Sequence, residues 1–296
     1  FAILLGSDNG GTVTPTDGSV TGDKVASTGA FTIGAAGTAS SLAGISFYKA
    51  DNSIYTHDVS GTDNTAEFNT AFGVNALDAI TDGDKHVAIG YNAGTAVTTA
   101  VGNVLIGEAA GAALTTGGSN TLIGRLAGDA FDTEANNIAI GVASLGGSVA
   151  GGEYNVAVGN YTLDALTSGD YNTAVGYNAG TDLTTGDRNT FIGHEAGKDC
   201  IGGGQNVCIG DAAGSGALAT AAGRNVMIGR NAGQSGTDAE HNVFVGFEAG
   251  KSVTTGTYSV FIGPNAGDGH DTEGSNIAIG YDALGGSVAG GENNVA

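Results

Sequence analysis

The sequence has few of the basic residues that bind nucleic acid or an anionic membrane. Its 296 residues include 9 Lys plus Arg against 30 Asp plus Glu, for a formal net charge of −21. Both kinds of partner are bound through clustered basic residues, so neither is expected here. No apolar run reaches the length of a transmembrane helix, and no membrane insertion is expected. The acidity is expected to keep the chain soluble.

Cysteine and histidine are also scarce, and tryptophan is absent. Cys208 stands where other repeats carry Ala, Leu, Met or Phe, which favours a small core residue over a disulfide with Cys200. The five histidines show no metal-ligand spacing and no nucleophile with a base and an orienting acid. His194 and Glu195 are interpreted as part of a solvated face. The sequence therefore predicts no catalytic residue, no metal site and no cofactor.

The abundant residue is glycine, with 55 copies, and it recurs at a short fixed period. Ten of twelve intervals are 17 residues long, and the other two are 18 and 19. Such a period is typical of a solenoid, in which each coil buries its apolar face only when neighbours stack on it. The periodic glycines are Gly73, Gly90, Gly107, Gly124, Gly141, Gly159, Gly176, Gly193, Gly210, Gly229, Gly246, Gly263 and Gly280.

An asparagine stands four residues before nearly every periodic glycine, and only His86 and Ser259 interrupt the column. Asn tolerates the left-handed backbone conformation, and stacked amides can form a hydrogen-bonded ladder. A structural ladder at a corner of the coil is therefore predicted, with fewer ladder contacts for Asn69 at its start. Its interior members are Asn103, Asn120, Asn137, Asn155, Asn172, Asn189, Asn206, Asn225 and Asn242.

Three β-favouring apolar residues separate each Asn from its Gly, as in 190–192, and predict a strand. Alternation places the first and third side chains on one face and the middle one on the other. We expect the first and third to fill the coil and the middle ones to form an outer apolar stripe covered by sister chains in a homotrimer. The expected trimer contacts are Leu105, Leu122, Phe191, Met227, Phe244 and Phe261.

A second, less regular stretch in each coil, such as 183–186, predicts a second strand. The sequence thus predicts an all-β protein: a parallel β-solenoid of about 17-residue coils over residues 69–296, intertwined or packed as a homotrimeric fibre. Residues 1–68 lack the period and are expected to form an all-β entry or connector module, with strands at 30–34, 44–48 and 54–55. The array is expected to continue beyond residue 296.

Other chemistries find weaker support. Carboxylate pairs in a groove between chains are the requirement for cutting a polysaccharide, and one sequence does not show such a pair. The nonapeptide pattern of calcium-binding β-rolls is absent. The aromatic residues that follow some glycines, such as Tyr91 and Tyr177, alternate with Glu108 and Arg125 and are interpreted as general surface. We therefore expect no enzymatic activity.

The repeats at 172–180 and 183–193 resemble those in tail fibres of bacteriophages, particularly marine ones. They are also similar to the head repeats of trimeric autotransporter adhesins, whose coils carry a comparable Val-Ala-Ile-Gly strand. The segment at 17–25 is similar to a connecting motif common in phage fibre proteins. The likeness covers about four fifths of the chain and implies a fibrous architecture, with no binding or catalytic residue to carry over.

The leading hypothesis is the structural shaft of a virion tail fibre that presents a host-receptor-binding tip. Its expected partners are sister chains, other virion proteins and a host cell-surface glycan or protein, bound through a region outside this chain. The alternatives are the head of a trimeric adhesin on a bacterial cell surface and a polysaccharide-cleaving tailspike. A membrane-anchoring barrel or a soluble tip beyond residue 296 would separate the first two, and cleavage of host capsule would identify the third.

Overall fold

The computed structural model describes residues 40–42, 45–50, 53–56, 64–147, 151–216, 223–286 and 291–296. Over these ranges the fold is all-β, and sixteen strands form one sheet in chain order. The strand expected at 30–34 lies outside the described residues.

The sheet begins with two antiparallel pairings and then becomes parallel. β1 (Ser40–Leu42) pairs with β2 (Ile45–Ala50), and β2 pairs with β3 (Ser53–Tyr55). β3 then pairs in parallel with β4 (Thr70–Phe72). The parallel stack therefore starts at β3, before the periodic Asn and Gly residues begin.

Each coil from β4 onward contributes one three-residue strand, paired in register with the strand of the next coil. In chain order the strands after β4 are β5 (Val87–Ile89), β6 (Val104–Ile106), β7 (Thr121–Ile123), β8 (Ile138–Ile140), β9 (Val156–Val158), β10 (Thr173–Val175), β11 (Thr190–Ile192), β12 (Val207–Ile209), β13 (Val226–Ile228), β14 (Val243–Val245), β15 (Val260–Ile262) and β16 (Ile277–Ile279). The predicted parallel β-solenoid of about 17-residue coils is confirmed.

The second strand predicted in each coil is wrong. In the described part of the chain that stretch forms no strand, and the nearest pairing is two isolated parallel bridges one residue beyond it, at Asp84–Val101 and Gly204–Gly223. Its backbone still bonds to the next coil, as in the 3.0 Å bond from the Thr98 amide to the Thr115 carbonyl. The stretch thus stacks on its counterpart in the next coil, but without the continuous backbone pairing of a β-strand.

The assignment of inner and outer strand faces is also wrong. The middle residues are fully buried inside their own coil, and the six expected trimer contacts are each 0% exposed: Leu105, Leu122, Phe191, Met227, Phe244 and Phe261. The first and third residues point outward, as in β11, where Ile192 is 38% exposed. Alternation separates the two faces but does not say which is inside, and the coil interior has room for one side chain per strand.

In most coils the interior volume is shared between the middle strand residue and the fourth residue after the glycine. In two coils both are small, Ala88 with Gly94 and Ala174 with Gly180, and the large residue of the next coil, Leu105 or Phe191, lies against the glycine. Where the fourth residue is glycine, a large middle residue can fill the space: a Cβ on Gly250 would lie 2.8 Å from the Phe244 ring. Four coils reverse this arrangement, with Ala in the strand and Leu at the fourth position: Ala71 with Leu77, Ala139 with Leu145, Ala157 with Leu163, and Ala278 with Leu284. The variation in middle-residue size therefore reflects packing within the chain.

The periodic glycines mark the closest approach between coils. Gly176 has a φ of 143°, and a Cβ there would lie 2.2 Å from the carbonyl oxygen of Gly193. Its counterparts meet the next glycine carbonyl at similar distances, for example 2.3 Å for Gly107 and Gly124. Only glycine allows both this backbone conformation and this contact.

We predict that Phe244→Ala and Gly250→Leu each destabilise the protein but compensate for one another. The first change leaves a cavity and should cost about 3–5 kcal/mol, and the second overpacks the ring and should cost about 1–3 kcal/mol. Together they recreate the Ala and Leu arrangement of the Ala157 coil. Thermal unfolding of the two single variants and the double variant measures the coupling.

The matched control is Phe244→Ala combined with Gly197→Leu, which changes the equivalent glycine three coils earlier, beside Phe191. This pair should show no rescue. Losses that simply add for Phe244 and Gly250 would contradict volume sharing within one coil.

Candidate functional site

The asparagine column forms the predicted ladder, and all nine predicted interior members belong to it. Each side-chain Oδ1 accepts a hydrogen bond from the backbone N–H of the next ladder residue, at 2.8 Å for Asn103 to Asn120 and 3.1 Å for Asn206 to Asn225. The chain of bonds runs from Asn69 to Asn294. Contact between amides, the predicted form of the ladder, occurs in part of the column, as in the 3.1 Å bond from Asn189 to Asn172.

The other half of each amide closes its own coil. Asn189 Nδ2 donates to the carbonyl of Gly203 at 2.8 Å, and Asn172 makes the same bond to Gly186 at 2.9 Å. The acceptor lies fourteen residues ahead, at the end of the coil that the asparagine opens. One buried side chain therefore joins the two ends of a coil and binds that coil to the next.

The backbone reason given for asparagine is wrong. The left-handed residue is the one before each ladder position, for example Tyr171 at φ 58° and Arg188 at φ 59°, and the ladder asparagines in the described chain have negative φ. The asparagines are selected for their amides, which satisfy buried backbone groups on both sides.

Asn69 does not end the ladder as expected. Its backbone N–H donates to Ser53 Oγ at 2.8 Å, and its Nδ2 donates to Tyr55 Oη at 3.3 Å and to the Gly83 carbonyl at 2.8 Å. Ser53 thus takes the ladder position in the β3 coil. Asn69 is as fully bonded as an interior member.

A second ladder, of threonine hydroxyls, was not predicted. Thr98 and Thr184 donate to the carbonyls of Thr115 and Ile201 in the following coils, at 3.2 and 2.8 Å. The repeated Thr-Thr pairs were visible in the sequence, but their acceptors are backbone carbonyls that no residue pattern identifies. These hydroxyls also stabilise the stack.

We predict a graded loss of stability for Asn189→Ala and Asn189→Ser. Alanine removes the acceptor for the Asn206 N–H and both donors of the amide, so about 2–3 kcal/mol should be lost at roughly 1 kcal/mol per bond. Serine keeps an acceptor, as Ser259 does for Asn276 at 3.2 Å, and should lose about half as much. Thermal unfolding measures both.

Asn69→Ala is the companion variant and should cost about as much as Asn189→Ala, because Asn69 makes the same set of bonds. A much smaller loss at Asn69 would contradict the role of Ser53 and Tyr55. Equal losses for alanine and serine at Asn189 would show that the acceptor is unimportant.

His86 replaces asparagine in the ladder as a neutral imidazole. Its Nδ1 accepts from the Asn103 backbone N–H at 3.1 Å, which places the proton on Nε2 for donation to the Ala100 carbonyl at 2.8 Å. Burial lowers the pKa of His86, although the Ala100 carbonyl and the nearby Asp84 carboxylate oppose this. Protonation of Nδ1 would place its N–H against the Asn103 N–H and would break the hydrogen bond that Nδ1 now accepts.

We predict that His86 makes stability depend on pH. A lowered folded-state pKa means that the folded chain binds fewer protons than the unfolded one, so this stability is complete above about pH 6.5 and decreases as pH falls toward the folded pKa. His86→Asn should remove that loss. Melting temperatures of both proteins between pH 7.5 and pH 5 measure the difference, and identical pH profiles would contradict it.

The outward strand face is a continuous apolar feature of the described surface. It consists of the first and third residues of β4–β16, and these are all Val, Ile, Thr or Phe. Its third column is apolar in every coil, with exposed fractions such as 40% for Ile89, 38% for Ile192 and 39% for Ile262. The predicted apolar stripe thus exists, but it is built from these residues.

Two columns that flank this face, called the flank columns below, carry the aromatic and basic side chains. They stand five residues before and one residue after the periodic glycine. The first includes Tyr154, Tyr171, Arg188, Arg224, His241 and Tyr258, and the second includes Tyr91, Arg125, Tyr177, His194, Arg230, Phe247 and Tyr281. All four arginines of the chain lie in these columns.

The flank residues contact one another along the stack. Tyr154 and Tyr171 stack with centroids 5.1 Å apart, and Arg188 lies over the Tyr171 ring at 5.4 Å. Rings that stack on each other in this way direct their edges outward and are poor platforms for a sugar, which needs a free ring face.

His194 was expected to face solvent, and it is exposed, but it belongs to a chain of contacts. Its Nδ1 lies 2.9 Å from Asp211, and Arg230 Nε lies 3.6 Å from the same carboxylate. Tyr177 stacks on the imidazole with centroids 5.7 Å apart. These contacts cross coils and involve no serine, threonine or cysteine nucleophile.

Among the described residues, carboxylates come together at Asp129 with Asp164, at Asp182 with Asp199, and at Asp268 with Asp282, without forming a recognisable centre. Partial burial raises the pKa of Asp129 and Asp164, and the charge of Asp164 adds to the rise for Asp129. They lie two coils apart, with Gly146 at the equivalent position of the coil between them. In the described part of the chain, no group of three or more His, Cys, Asp or Glu side chains is placed to hold a metal ion.

The two cysteines are buried and form no disulfide, which confirms the interpretation of Cys208 as a core residue. Burial raises the pKa of the Cys200 thiol to about 12 and also raises that of Cys208. Both thiols are therefore protonated and unreactive at neutral pH. Within the described ranges, no helix is long and apolar enough to cross a membrane.

Comparisons of the chain with protein-family models, with curated proteins and with solved structures found no significant match.

Proposed function

We propose that this chain is the structural shaft of a virion tail fibre, assembled as a homotrimer, which holds a host-receptor-binding tip away from the particle. The observation that carries the proposal is the uniform stack of coils, in which the repeated polar residues bond to the scaffold itself. The ladder amides and the threonine hydroxyls bond to backbone groups of their own or the next coil. A rod built in this way supplies length and stiffness.

The sequence likeness to phage fibre repeats supports the same function, and the exposed strand face gives sister chains a surface to cover. The host glycan or protein is then bound through a region outside this chain, and other virion proteins hold the opposite end. The adhesin head has support from the Val-Ala-Ile-Gly strand at 87–90, where Ala88 is the buried residue. A polysaccharide-cleaving tailspike has less support: neighbouring carboxylates occur, at Asp129 with Asp164 and at Asp182 with Asp199, but no sequence likeness accompanies them.

We predict that antibodies raised against the purified chain label thin appendages on virions rather than the surface of bacterial cells. The measurement is immunogold electron microscopy of virions and cells from the source of the sequence. Labelling of cells alone would favour the adhesin, and labelling of neither would contradict both. Incubation of the purified chain with capsular polysaccharide should release no new reducing ends, and their release would support the tailspike.

A further inference from the structure

We infer that the outward strand face and its flank columns form the surface through which parallel copies of this chain pack against one another. The parallel arrangement rests on the proposed fibre, because a shaft that presents a tip needs all its chains to run in one direction. The surface itself is identified from burial, charge and composition.

The first argument is size. Thirteen strands from β4 to β16, each about 10 Å long and about 4.8 Å apart, make a face of roughly 600 Å². The largest apolar patch on a typical monomer covers about 300–600 Å². With the flank columns on either side, the surface reaches the ~800 Å² that each partner buries in a standard interface. A side chain such as Ile192 remains 38% exposed although strands lie on both sides of it.

The second argument is charge. The chain carries 30 acidic residues, yet only Glu108 and Asp211 lie in the strand face or the flank columns. Two rods with a formal net charge of −21 repel each other at most orientations, and this side offers the approach with the least repulsion. The Asp211 carboxylate is already paired, with His194 at 2.9 Å and Arg230 at 3.6 Å.

The third argument is composition. Protein interfaces have an apolar core with Tyr and Arg enriched and Asp, Glu and Lys depleted. Here the apolar core is the Val and Ile face, and tyrosine and arginine lie beside it, as with Tyr171 and Arg188. The regular coil spacing is the same in every copy, so parallel copies in register repeat each favourable contact along the rod.

The experiment compares Ile192→Glu with Ile201→Glu in the full chain. Both are exposed isoleucines of one coil, 38% and 47% respectively, but Ile192 lies on the strand face and Ile201 in the threonine column. Mass is measured by sedimentation equilibrium over a hundredfold range of concentration. We expect the unmodified chain and Ile201→Glu to form the same multi-chain species. Ile192→Glu should weaken association at least tenfold while keeping the circular dichroism spectrum.

Disulfide trapping tests the arrangement independently, should Ile192→Glu prove unstable. Parallel copies in register bring the same residue to a common axis, so Ile192→Cys should crosslink between chains and Ile201→Cys should not. Cys200 and Cys208 are buried and do not interfere.

The proposed surface is overturned if the unmodified chain is monomeric at every concentration, or if Ile192→Glu and Ile201→Glu weaken association equally. A stable multimer that Ile192→Cys fails to crosslink overturns the parallel arrangement. A monomeric chain would also contradict the homotrimer of the proposed function, but its place on the virion is tested separately by antibody labelling.

Discussion

The close stacking of one coil on the next is the constraint on which the rest of the structure depends. At the periodic glycines the backbones come so near that a single Cβ would lie about 2.2 Å from a carbonyl oxygen, as between Gly176 and Gly193. The same stacking buries the backbone N–H of each ladder residue, four positions before the glycine, and each must find a partner, as Asn189 does in Asn172 Oδ1 at 2.9 Å. The asparagine amide supplies it, because one side chain accepts from the next coil and donates within its own. Glycine and asparagine are thus two parts of one requirement.

The left-handed residues follow from the same geometry. A coil of 17 residues with one three-residue strand must reverse direction several times, and it does so at fixed positions with positive φ, among them Leu163 at 52° and Tyr171 at 58°. Leucine and tyrosine are poor residues for that conformation. Their presence shows that burial, for Leu163, and contact along the stack, for Tyr171, outweigh the local preference.

The period and the asparagine column could be read from the sequence because both are strict and have one physical cause. The inner face could not be read from alternation, since the outward residues are as apolar as the inward ones. A signal was nevertheless present in the sizes of two positions, the middle strand residue and the fourth residue after the glycine. Small Ala157 goes with large Leu163, while large Phe244 goes with Gly250, which indicates that both side chains occupy the same interior space. The left-handed position was missed because Tyr171 and Arg188 are not typical turn residues. The end of the ladder was misplaced because Ser53 and Tyr55 lie outside the period but still occupy the coil positions.

The two outward columns of the strand face are not equivalent. Four coils have threonine in the first column, at Thr70, Thr121, Thr173 and Thr190, whereas the third column holds only Ile, Val and one Phe. If water alone set the composition, threonine would be as acceptable in one column as in the other, because both are partly exposed β-strand positions. In the proposed packing of parallel copies, this restriction is explained if the third column lies nearest the common axis and the first nearer the rim. That orientation would also bring the flank column of Tyr177 and Arg230, which follows the third column, closer to the partner than that of Tyr171 and Arg188.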